Sequence, residues 1–588
     1  MSTRSKRSLN DRLFQRRRAE RDRVDLALPA ISLMTPNTDA RGEVSAPTPF
    51  AQWQSDLNIG ALADTMAQDR RYAPFIRDTL STLLTDTAVI DWRQQVLQDL
   101  LDNPALSDII RQLLPDFASL RYGGVQLGSR QRTLLIETSD RLAELELYLD
   151  LVEALHTALS AAMLKSEALK RLLAGLDGLT QTPGFAELKA ELPELRAPLQ
   201  AVRSLTIGIN LDTDLRPEAA VLLSVNDQPY GESLSLLDRL LGARTELHDD
   251  TGVASLHQFV ANRELRVMDP LFQDVDKLMA SAAQPIAKAL TRYTRVSSRS
   301  LIALENEFAF FSAASDMIRS LSRRGIPFCK PNLIAPDARI TEISGLVNVM
   351  LALKTDAPPV PNEAEFNEGG RVAILTGPNS GGKTTWLRAV GLAHVLCQTG
   401  LLVPAERATI SPVDSIFTHF PALETQQGRL EEEAQRIREM FSQVTPRSLI
   451  LLNETFSSTS AGEALYLAHD VLSACCAIGT RTIFATHLMT LAADLDSIEQ
   501  AATETGACRS RPFSLTAGVR QTENGTASPT YKVTRGHPPG RSYAQEIAQR
   551  YGIERDQLIA SAGLHKHTST STDTTYDATQ ISSDEPVT

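Results

Sequence analysis

The clearest chemical pattern in the chain is GPNSGGKT at Gly377–Thr384, which fits the phosphate-binding pattern GxxxxGK[ST]. It follows an apolar strand candidate at Arg371–Thr376 and precedes a helical stretch. Glycines let backbone N–H groups curl around a phosphate, the helix N-terminus adds its positive dipole, lysine reaches the β- and γ-phosphate oxygens, and threonine ligates Mg²⁺. A chance glycine-rich turn is the competing interpretation, which the flanking elements disfavour. We predict that ATP phosphates are bound by Gly377, Asn379, Ser380, Gly381, Gly382, Lys383, Thr384 and Thr385, with Thr384 also on the metal.

A second candidate pair, Asn453 and Glu454, follows the apolar run LILL at residues 449–452. In P-loop enzymes a strand brings an acidic residue beside Mg²⁺ at this point, and a following carboxylate polarises the attacking water. Glu454 is therefore the candidate general base. Asn453 lacks the charge of the first role, although its side-chain oxygen can accept a hydrogen bond from a metal-bound water. The competing interpretation is that Glu454 is an ordinary surface acid at a strand end. The apolar run that precedes Glu454 argues against this interpretation.

A third candidate is His487, which follows the strand candidate TIFAT at residues 482–486. A histidine there can sense the γ-phosphate and orient water. Alone, such a histidine is more often a structural residue. Its position after the two other motifs favours the functional interpretation, so we predict that Glu454 and His487 are catalytic.

The elements that must position these residues change along the chain. Up to about residue 350 the apolar spacing is helical, and it predicts one long helix from Ser139 to about Leu173, ended by Gly175 and Gly178. Short strand candidates near residues 205–225 interrupt this helical region. After Gly369, apolar strands alternate with helices, which is typical of an α/β domain.

The bulk composition narrows the class of protein. The chain has 588 residues, a net charge of −12 and 42 % hydrophobic residues, which fits a folded protein of several domains. It contains no apolar stretch of the roughly 18–20 residues that span a bilayer, and its start lacks the apolar core of a signal peptide. Five cysteines without metal-ligand spacing indicate reduced thiols. We therefore expect a cytoplasmic protein without a membrane partner.

Both ends of the chain differ from the rest. Residues 1–24 carry nine Arg or Lys against three Asp or Glu, which allows non-specific contacts with phosphates or simply a solvated arm. We predict disordered tails at residues 1–48 and 564–588, because both are rich in turn-forming or polar residues.

Taken together, the motifs resemble the ATPase domain of the MutS family of DNA mismatch-repair proteins. The matching stretches are TGPNSGGKTTWLRAVGLAHVLCQTGLLVPAERATISPVDSIFT, LILLNETFSSTSAGEALYLA, TIFATHLMTLAADL and YKVTRGHPPGRSYAQEIAQRYGI. The resemblance implies an ABC-type α/β P-loop ATPase domain at residues 351–563. Before it, the resemblance implies a mainly α-helical core and lever domain at residues 49–350, with a small β clamp insertion near residues 200–230. It also implies ATP and Mg²⁺ as cofactors, a homodimer, and duplex or branched DNA as partner.

The resemblance has departures. Relatives that read mismatches carry an N-terminal domain with a Phe-x-Glu wedge and a connector, and some carry an Smr nuclease domain; we expect none of these here. The family's signature loop uses a serine to touch the partner subunit's ATP. The best match in this chain is Gly428-Arg429, whose backbone amides or guanidinium could take over that contact. Asn453 stands where the family has Asp.

Three functions remain open at this point. The first is a dimeric ATPase clamp whose nucleotide cycle drives lever movement on DNA. The second is a nucleotide-gated scaffold or regulator that does not hydrolyse ATP, which Asn453 and the serine-less signature favour, while Glu454 and His487 count against it. The third, remote one is an unrelated ABC-type transport or chromosome-organising ATPase.

Overall fold

The computed structural model describes residues 24, 26–37, 52–123, 134–200, 203–214, 217–228, 283–420, 429–504, 506, 508–521, 527–536 and 551–561. The basic arm through residue 23, the signature residue Gly428 and the C-terminal tail lie outside these residues.

The described part of the chain before residue 324 is mainly helical. Its helices are α1 Gln52–Asp56, α2 Ile59–Met66, α3 Ala73–Leu80, α4 Thr87–Asp102, α5 Pro104–Gly123, α6 Leu134–Ala161, α7 Glu167–Thr180, α8 Pro183–Gln200 and α9 Arg299–Arg323. Helix α9 packs against α5 and α4, and the rings of Phe117 and Phe308 meet there at 5.9 Å. The apolar face of α9 is thereby buried, which is the main stabilising contribution in a helical bundle.

The single long helix predicted to reach about Leu173 is wrong, because α6 and α7 are separate. The hydroxyl of Ser166 caps α7 by accepting a hydrogen bond from the N–H three residues further on. The carboxylate of Asp99 in turn accepts a 2.8 Å hydrogen bond from the backbone N–H of Ser166. These oxygens satisfy N–H groups at a helix start, so a new helix begins there. The predicted terminators Gly175 and Gly178 lie inside α7.

The prediction of an N-terminal tail is wrong for residues 26–34. Leu26, Leu28 and Leu33 are buried in the same core as the helices. The carboxylate of Glu307 in α9 accepts a 2.6 Å hydrogen bond from the N–H of Leu33. The stretch LALPAISLM at residues 26–34 is mostly apolar, but it is short and interrupted by a proline. It shows no sustained helix or strand period, so the pattern could not reveal that this extended segment packs on α9.

The predicted strands of the insertion form a hairpin. Strand β1, Ser204–Leu211, pairs antiparallel with β2, Pro217–Asn226, between α8 and α9. This hairpin is the described part of the segment that we expected to be a clamp.

The part after α9 is α/β, as predicted. Its strands are β3 Asn332–Leu333, β4 Thr341–Leu346, β5 Asn362–Phe366, β6 Val372–Thr376, β7 Arg407–Ile410, β8 Ile416–His419, β9 Leu449–Asn453, β10 Arg481–Ala485, β11 Pro512–Gln521 and β12 Ala527–Arg535. Its helices are α10 Val349–Lys354, α11 Lys383–Gln398, α12 Arg429–Phe441, α13 Ala461–Ile478, α14 Met489–Ala493, α15 Leu495–Glu504 and α16 Arg555–Ser561.

These strands form two sheets. One has the order β3-β7-β4-β5, and the larger has the order β12-β11-β6-β10-β9-β8. In the larger sheet β11, β6, β10, β9 and β8 run parallel, and β12 is antiparallel at the edge. Every residue of β6, β9 and β10 is buried, as expected for parallel strands covered on both faces. Their carboxyl ends therefore meet at one edge, where α/β sheets bind ligands.

Polar contacts join the helical part to the α/β part. The guanidinium of Arg93 in α4 is buried and donates to the carbonyl oxygen of Thr399 at 3.2 Å. In α1 the carboxylate of Asp56 accepts a 2.7 Å hydrogen bond from the hydroxyl of Thr418 in β8. The main hydrophobic core also contains residues from both parts. A movement of the sheet would therefore displace the first helices as well.

The described helices and the cysteines also bear on the class of protein. No helix in the part of the chain that the structure describes is long and apolar enough to cross a membrane. All five cysteines are free, and three of them are buried.

Candidate nucleotide site

The glycine-rich loop joins β6 to α11. Gly377 has φ +136°, and a Cβ there would lie 2.8 Å from the Cβ of Ala517, so both the backbone conformation and the space require glycine. Gly382 has φ +91° and precedes the first residue of α11, Lys383. The ammonium of Lys383 reaches back and donates to the carbonyl oxygens of Gly377 at 2.9 Å and Pro378 at 3.3 Å. The loop thus surrounds the cationic end of Lys383, and the N-terminus of α11 directly follows the loop.

A charged cluster lies beside this loop. One carboxylate oxygen of Glu454 is 3.6 Å from Lys383 Nζ and 2.9 Å from His487 Nε2. The side chains of Lys383, Glu454 and His487 are 6 %, 19 % and 46 % exposed, so the cluster is open on the histidine side. Burial lowers the pKa of Lys383 below its ordinary value, and the negative charge of Glu454 opposes that shift. The carboxylate therefore lies between two groups that can carry positive charge.

A neutral oxygen pair lies next to the cluster. The hydroxyl of Thr384 donates to Oδ1 of Asn453 at 2.9 Å, and Asn453 is buried. Hydroxyl and amide oxygens are hard donors of the kind that Mg²⁺ accepts, and Mg²⁺ takes few protein ligands when substrate phosphates complete its shell. The two side chains fit a Mg²⁺ ion, without the carboxylate that would add charge.

The strand ends explain why these residues meet. Asn453 ends β9 and is in register with Ala485, the last residue of β10. The N–H of Glu454 then donates to the carbonyl oxygen of Ala485 at 2.8 Å, with Glu454 in the left-handed region at φ +53°. On the other side of β10, the N–H of Thr486 donates to the carbonyl oxygen of Leu375 in β6 at 2.9 Å. Three segments distant in sequence therefore converge on one edge of the sheet.

The remaining predicted residues have different outcomes. Asn379 and Ser380 are exposed on the loop, and Ser380 has φ +65°. The carbonyl oxygen of Thr385 accepts a 2.8 Å hydrogen bond from Asn348 at the start of α10. Gly428 lies outside the described residues, and Arg429 is placed as the first residue of α12 without a described side chain. The signature contact therefore stays a prediction.

Two family models match separate parts of this chain. MutS domain V matches residues 373–566, and the MutS2 N-terminal domain matches residues 85–324. The first covers most of the α/β part, and the second covers most of the helical part. The chain belongs to the MutS family.

Individual relatives agree with the two models. DNA mismatch repair protein MutS of Granulibacter bethesdensis is 29 % identical over 449 residues, which are 70 % of this chain and 46 % of the relative. Endonuclease MutS2 of Thermus thermophilus is 33 % identical over 35 % of this chain and 26 % of its own length. DNA mismatch repair protein MutS of Brevibacillus brevis is 30 % identical over 50 % of this chain and 32 % of its own length. This MutS family chain thus spans less than half the length of these curated relatives.

Sequence reasoning missed three residues behind the site. Thr455, directly after Glu454, is buried, and its hydroxyl lies 3.0 Å from Nδ1 of His419 at the end of β8. The carboxylate of Glu433 in α12 accepts a 2.9 Å hydrogen bond from the N–H of Phe456. A histidine after the strand candidate IFT was the one available signal, but the partner residue is 36 positions away.

Proposed function

We propose that this MutS family chain is a Mg²⁺-dependent ATPase of the ABC-type P-loop class. The observation that carries the proposal is the carboxylate of Glu454, 3.6 Å from the ammonium of Lys383 and 2.9 Å from His487. A carboxylate so close to a phosphate-binding lysine is placed to accept a proton from water beside a terminal phosphate. The matching domain V model supports the same assignment.

Each residue has a distinct role in this proposal. The ammonium of Lys383 binds the β- and γ-phosphate oxygens, which compete with its present partners, the carbonyl oxygens of the loop and Glu454. Glu454 then acts as general base, and His487 orients the attacking water and senses the terminal phosphate. Thr384 and, through water, Asn453 hold Mg²⁺. When bound, the ion neutralises charge on the phosphates.

Positioning and electrostatics can supply most of the rate enhancement in such a site. The low exposure of Lys383 and Glu454 strengthens their interaction with charge, because water is partly excluded. The neutral amide of Asn453 leaves less negative charge beside the metal than a carboxylate would. We therefore expect hydrolysis that needs a high Mg²⁺ concentration.

The second candidate is a nucleotide-gated scaffold or regulator that binds ATP without hydrolysing it. The bond between Thr384 and Asn453 favours it, because two neutral oxygens hold a cation weakly. The location of Glu454 and His487 favours hydrolysis. Phosphate release at saturating ATP distinguishes the two candidates.

We further propose that the chain acts as a cytoplasmic homodimer that binds duplex or branched DNA. In this proposal residues 351–563 form the ATPase domain and residues 49–350 form the core and lever, with the hairpin of β1 and β2 in the clamp. Gly428 and Arg429 reach the partner subunit's ATP. The names of the matched MutS relatives support a role in DNA mismatch repair. The core shared by the helical and α/β parts supports movement of the levers with the nucleotide state.

The experiment for hydrolysis compares three proteins. Wild type and Lys354→Ala, which removes an exposed lysine at the end of α10, should release phosphate from ATP in the presence of Mg²⁺. Lys383→Ala should release almost none, because it lacks the ammonium that binds the phosphates. Wild type that binds ATP but releases no phosphate would instead establish the scaffold.

The experiment for DNA binding is a salt titration. Fluorescence anisotropy with linear, mismatched and branched duplexes should show an affinity that falls steeply as salt rises, because phosphate contacts release counterions. Absence of binding to all three duplexes at low salt, with and without ATP, would remove DNA from the proposal. The ATPase assignment would stand independently.

A further inference from the structure

The turn that follows the proposed general base has an unfavourable backbone conformation. Glu454 has φ +53° and Phe456 has φ +65°, and side chains other than glycine enter this left-handed region at a cost of about 1–2 kcal/mol each. Such conformations persist only where surrounding groups hold them, and they cluster at functional sites. The direction of the Glu454 carboxylate therefore depends on what holds residues 454–456.

One group that holds the turn is the side chain of His419. Its Nδ1 lies 3.0 Å from the hydroxyl oxygen of Thr455, and both residues are buried. Burial and the positive charge of Arg436 lower the pKa of His419 to about 4. The ring is therefore neutral at neutral pH, with one nitrogen that donates and one that accepts, and the hydroxyl can match either.

The sheet does not need this side-chain contact. The backbone of His419 is already paired with Leu452 in the parallel ladder of β8 and β9. A buried polar pair also costs desolvation that an apolar pair of similar size avoids. The contact thus adds orientation at Thr455, one residue after Glu454, rather than pairing between the strands.

The opposite end of the turn is held independently. The N–H of Phe456 donates to the carboxylate of Glu433 at 2.9 Å, and the ring of Phe456 is buried in the second hydrophobic cluster. The backbone of Glu454 is bonded to Ala485, and its carbonyl oxygen accepts a 3.2 Å hydrogen bond from the N–H of Ser457. Between these backbone contacts, Thr455 carries the side-chain contact of the turn.

We propose that His419 is a positioning residue for ATP hydrolysis: through the hydroxyl of Thr455 it sets the direction in which Glu454 presents its carboxylate. This role rests on the proposed hydrolysis by Glu454. The hydrogen bond of the His419 ring goes to Thr455 and not to the phosphate loop or Glu454, so in this proposal it acts through Thr455.

The test replaces the hydroxyl with a methyl group of nearly the same size. Thr455→Val should lower kcat for phosphate release by about 10- to 100-fold, the effect of a small misplacement of a catalytic group. The affinity for a fluorescent ATP analogue and the KM for ATP should change little, because Lys383 and the loop are untouched. Thr455→Ser retains the hydroxyl and should restore most of kcat.

A matched control and a double variant separate positioning from general stability. Thr482→Val makes the same change at a fully buried threonine of β10 whose hydroxyl bonds to Thr480, and it should leave kcat unchanged. His419→Leu should lower kcat as Thr455→Val does, and the double variant should lower it no further, because both changes remove one contact.

The outcomes separate this role from the function on which it rests. Wild type that binds ATP without releasing phosphate would overturn both. Wild type with turnover, together with a Thr455→Val protein of unchanged kcat, would overturn the positioning role alone. If Thr455→Val does not fold, the comparison of His419→Asn with His419→Leu replaces it. Asparagine retains a hydrogen-bonding atom near the place of Nδ1, so His419→Asn should preserve more of kcat than His419→Leu. Equal kcat values in these two variants would overturn the proposal.

Discussion

The two ends of strand β10 carry charged groups in opposite settings. At the amino end, Arg481 is completely buried, and its guanidinium donates to the carbonyl oxygens of Ser411 at 2.7 Å and Arg447 at 3.0 Å and to the hydroxyl of Thr341 at 3.2 Å. Burial lowers the pKa of Arg481 to about 9. Its bonded partners are fixed parts of the fold, so this charge serves the structure.

At the carboxyl end, β10 leads into Thr486 and His487, beside Glu454. Here the side chains of Glu454 and His487 are 19 % and 46 % exposed, and their partners are ionisable side chains rather than backbone carbonyls. Such partners can be exchanged for a ligand. The comparison teaches that a charged group in this sheet indicates function when its partners are replaceable and its backbone is strained, and not merely when it is buried.

The largest expected effect is at the carboxyl end. Glu454→Gln should lower single-turnover phosphate release by about a hundredfold to ten-thousandfold, the usual contribution of a general base, while ATP remains bound. Glu463→Gln is the matched control, because Glu463 is an exposed acid near the start of α13. Equal release rates in Glu454→Gln and wild type would remove Glu454 from its role.

The amino end should respond in stability instead. Arg481→Leu leaves the carbonyl oxygens of Ser411 and Arg447 without a donor, which should lower the free energy of unfolding by about 3 kcal/mol. Denaturant unfolding measures this loss, and kcat per folded molecule should be unchanged. Arg407→Met, at an exposed position of β7, should have almost no effect. A large fall in kcat for Arg481→Leu at full folding would contradict the contrast between the two ends.

A smaller effect concerns pH at the end of β8. The folded pKa of His419 is about 4 against an ordinary value of 6.5, so between these values the unfolded chain binds a proton that the folded chain does not. Stability from this group is therefore complete above about pH 6.5 and falls as pH falls, by about 2 kcal/mol at pH 5. His419→Asn removes the titration. Urea unfolding at pH 7 and pH 5 should show a smaller loss in His419→Asn than in wild type, and identical losses would contradict this prediction.

The smallest effect is at the proposed metal position. Asn453→Asp places a carboxylate beside Thr384, which should lower the Mg²⁺ concentration for half-maximal phosphate release by about tenfold. Asn332→Asp adds the same charge at an exposed position of the smaller sheet and should leave the titration unchanged. Superimposable Mg²⁺ titrations of Asn453→Asp and wild type would show that residue 453 does not face the ion.

The sequence could predict those parts of the site that depend on local pattern. The loop before Lys383 and the polar residues after two apolar strands are readable, because a glycine-rich turn and a buried parallel strand each have a strong local signature. The contact of His419 with Thr455 is not readable, because the register of two strands decides it. The same holds for Leu26, which is buried by helices far away in sequence, and for Ser166, where Asp99 helps to end one helix and begin another.

The most direct test of the account is a crystal structure of the chain with Mg²⁺, ADP and aluminium fluoride. We predict that the fluoride lies between the ammonium of Lys383 and the carboxylate of Glu454, and that this carboxylate bonds to the water in line with the aluminium. A nucleotide bound elsewhere, or a carboxylate of Glu454 turned away from the aluminium, would contradict the convergence of the three segments on one triphosphate.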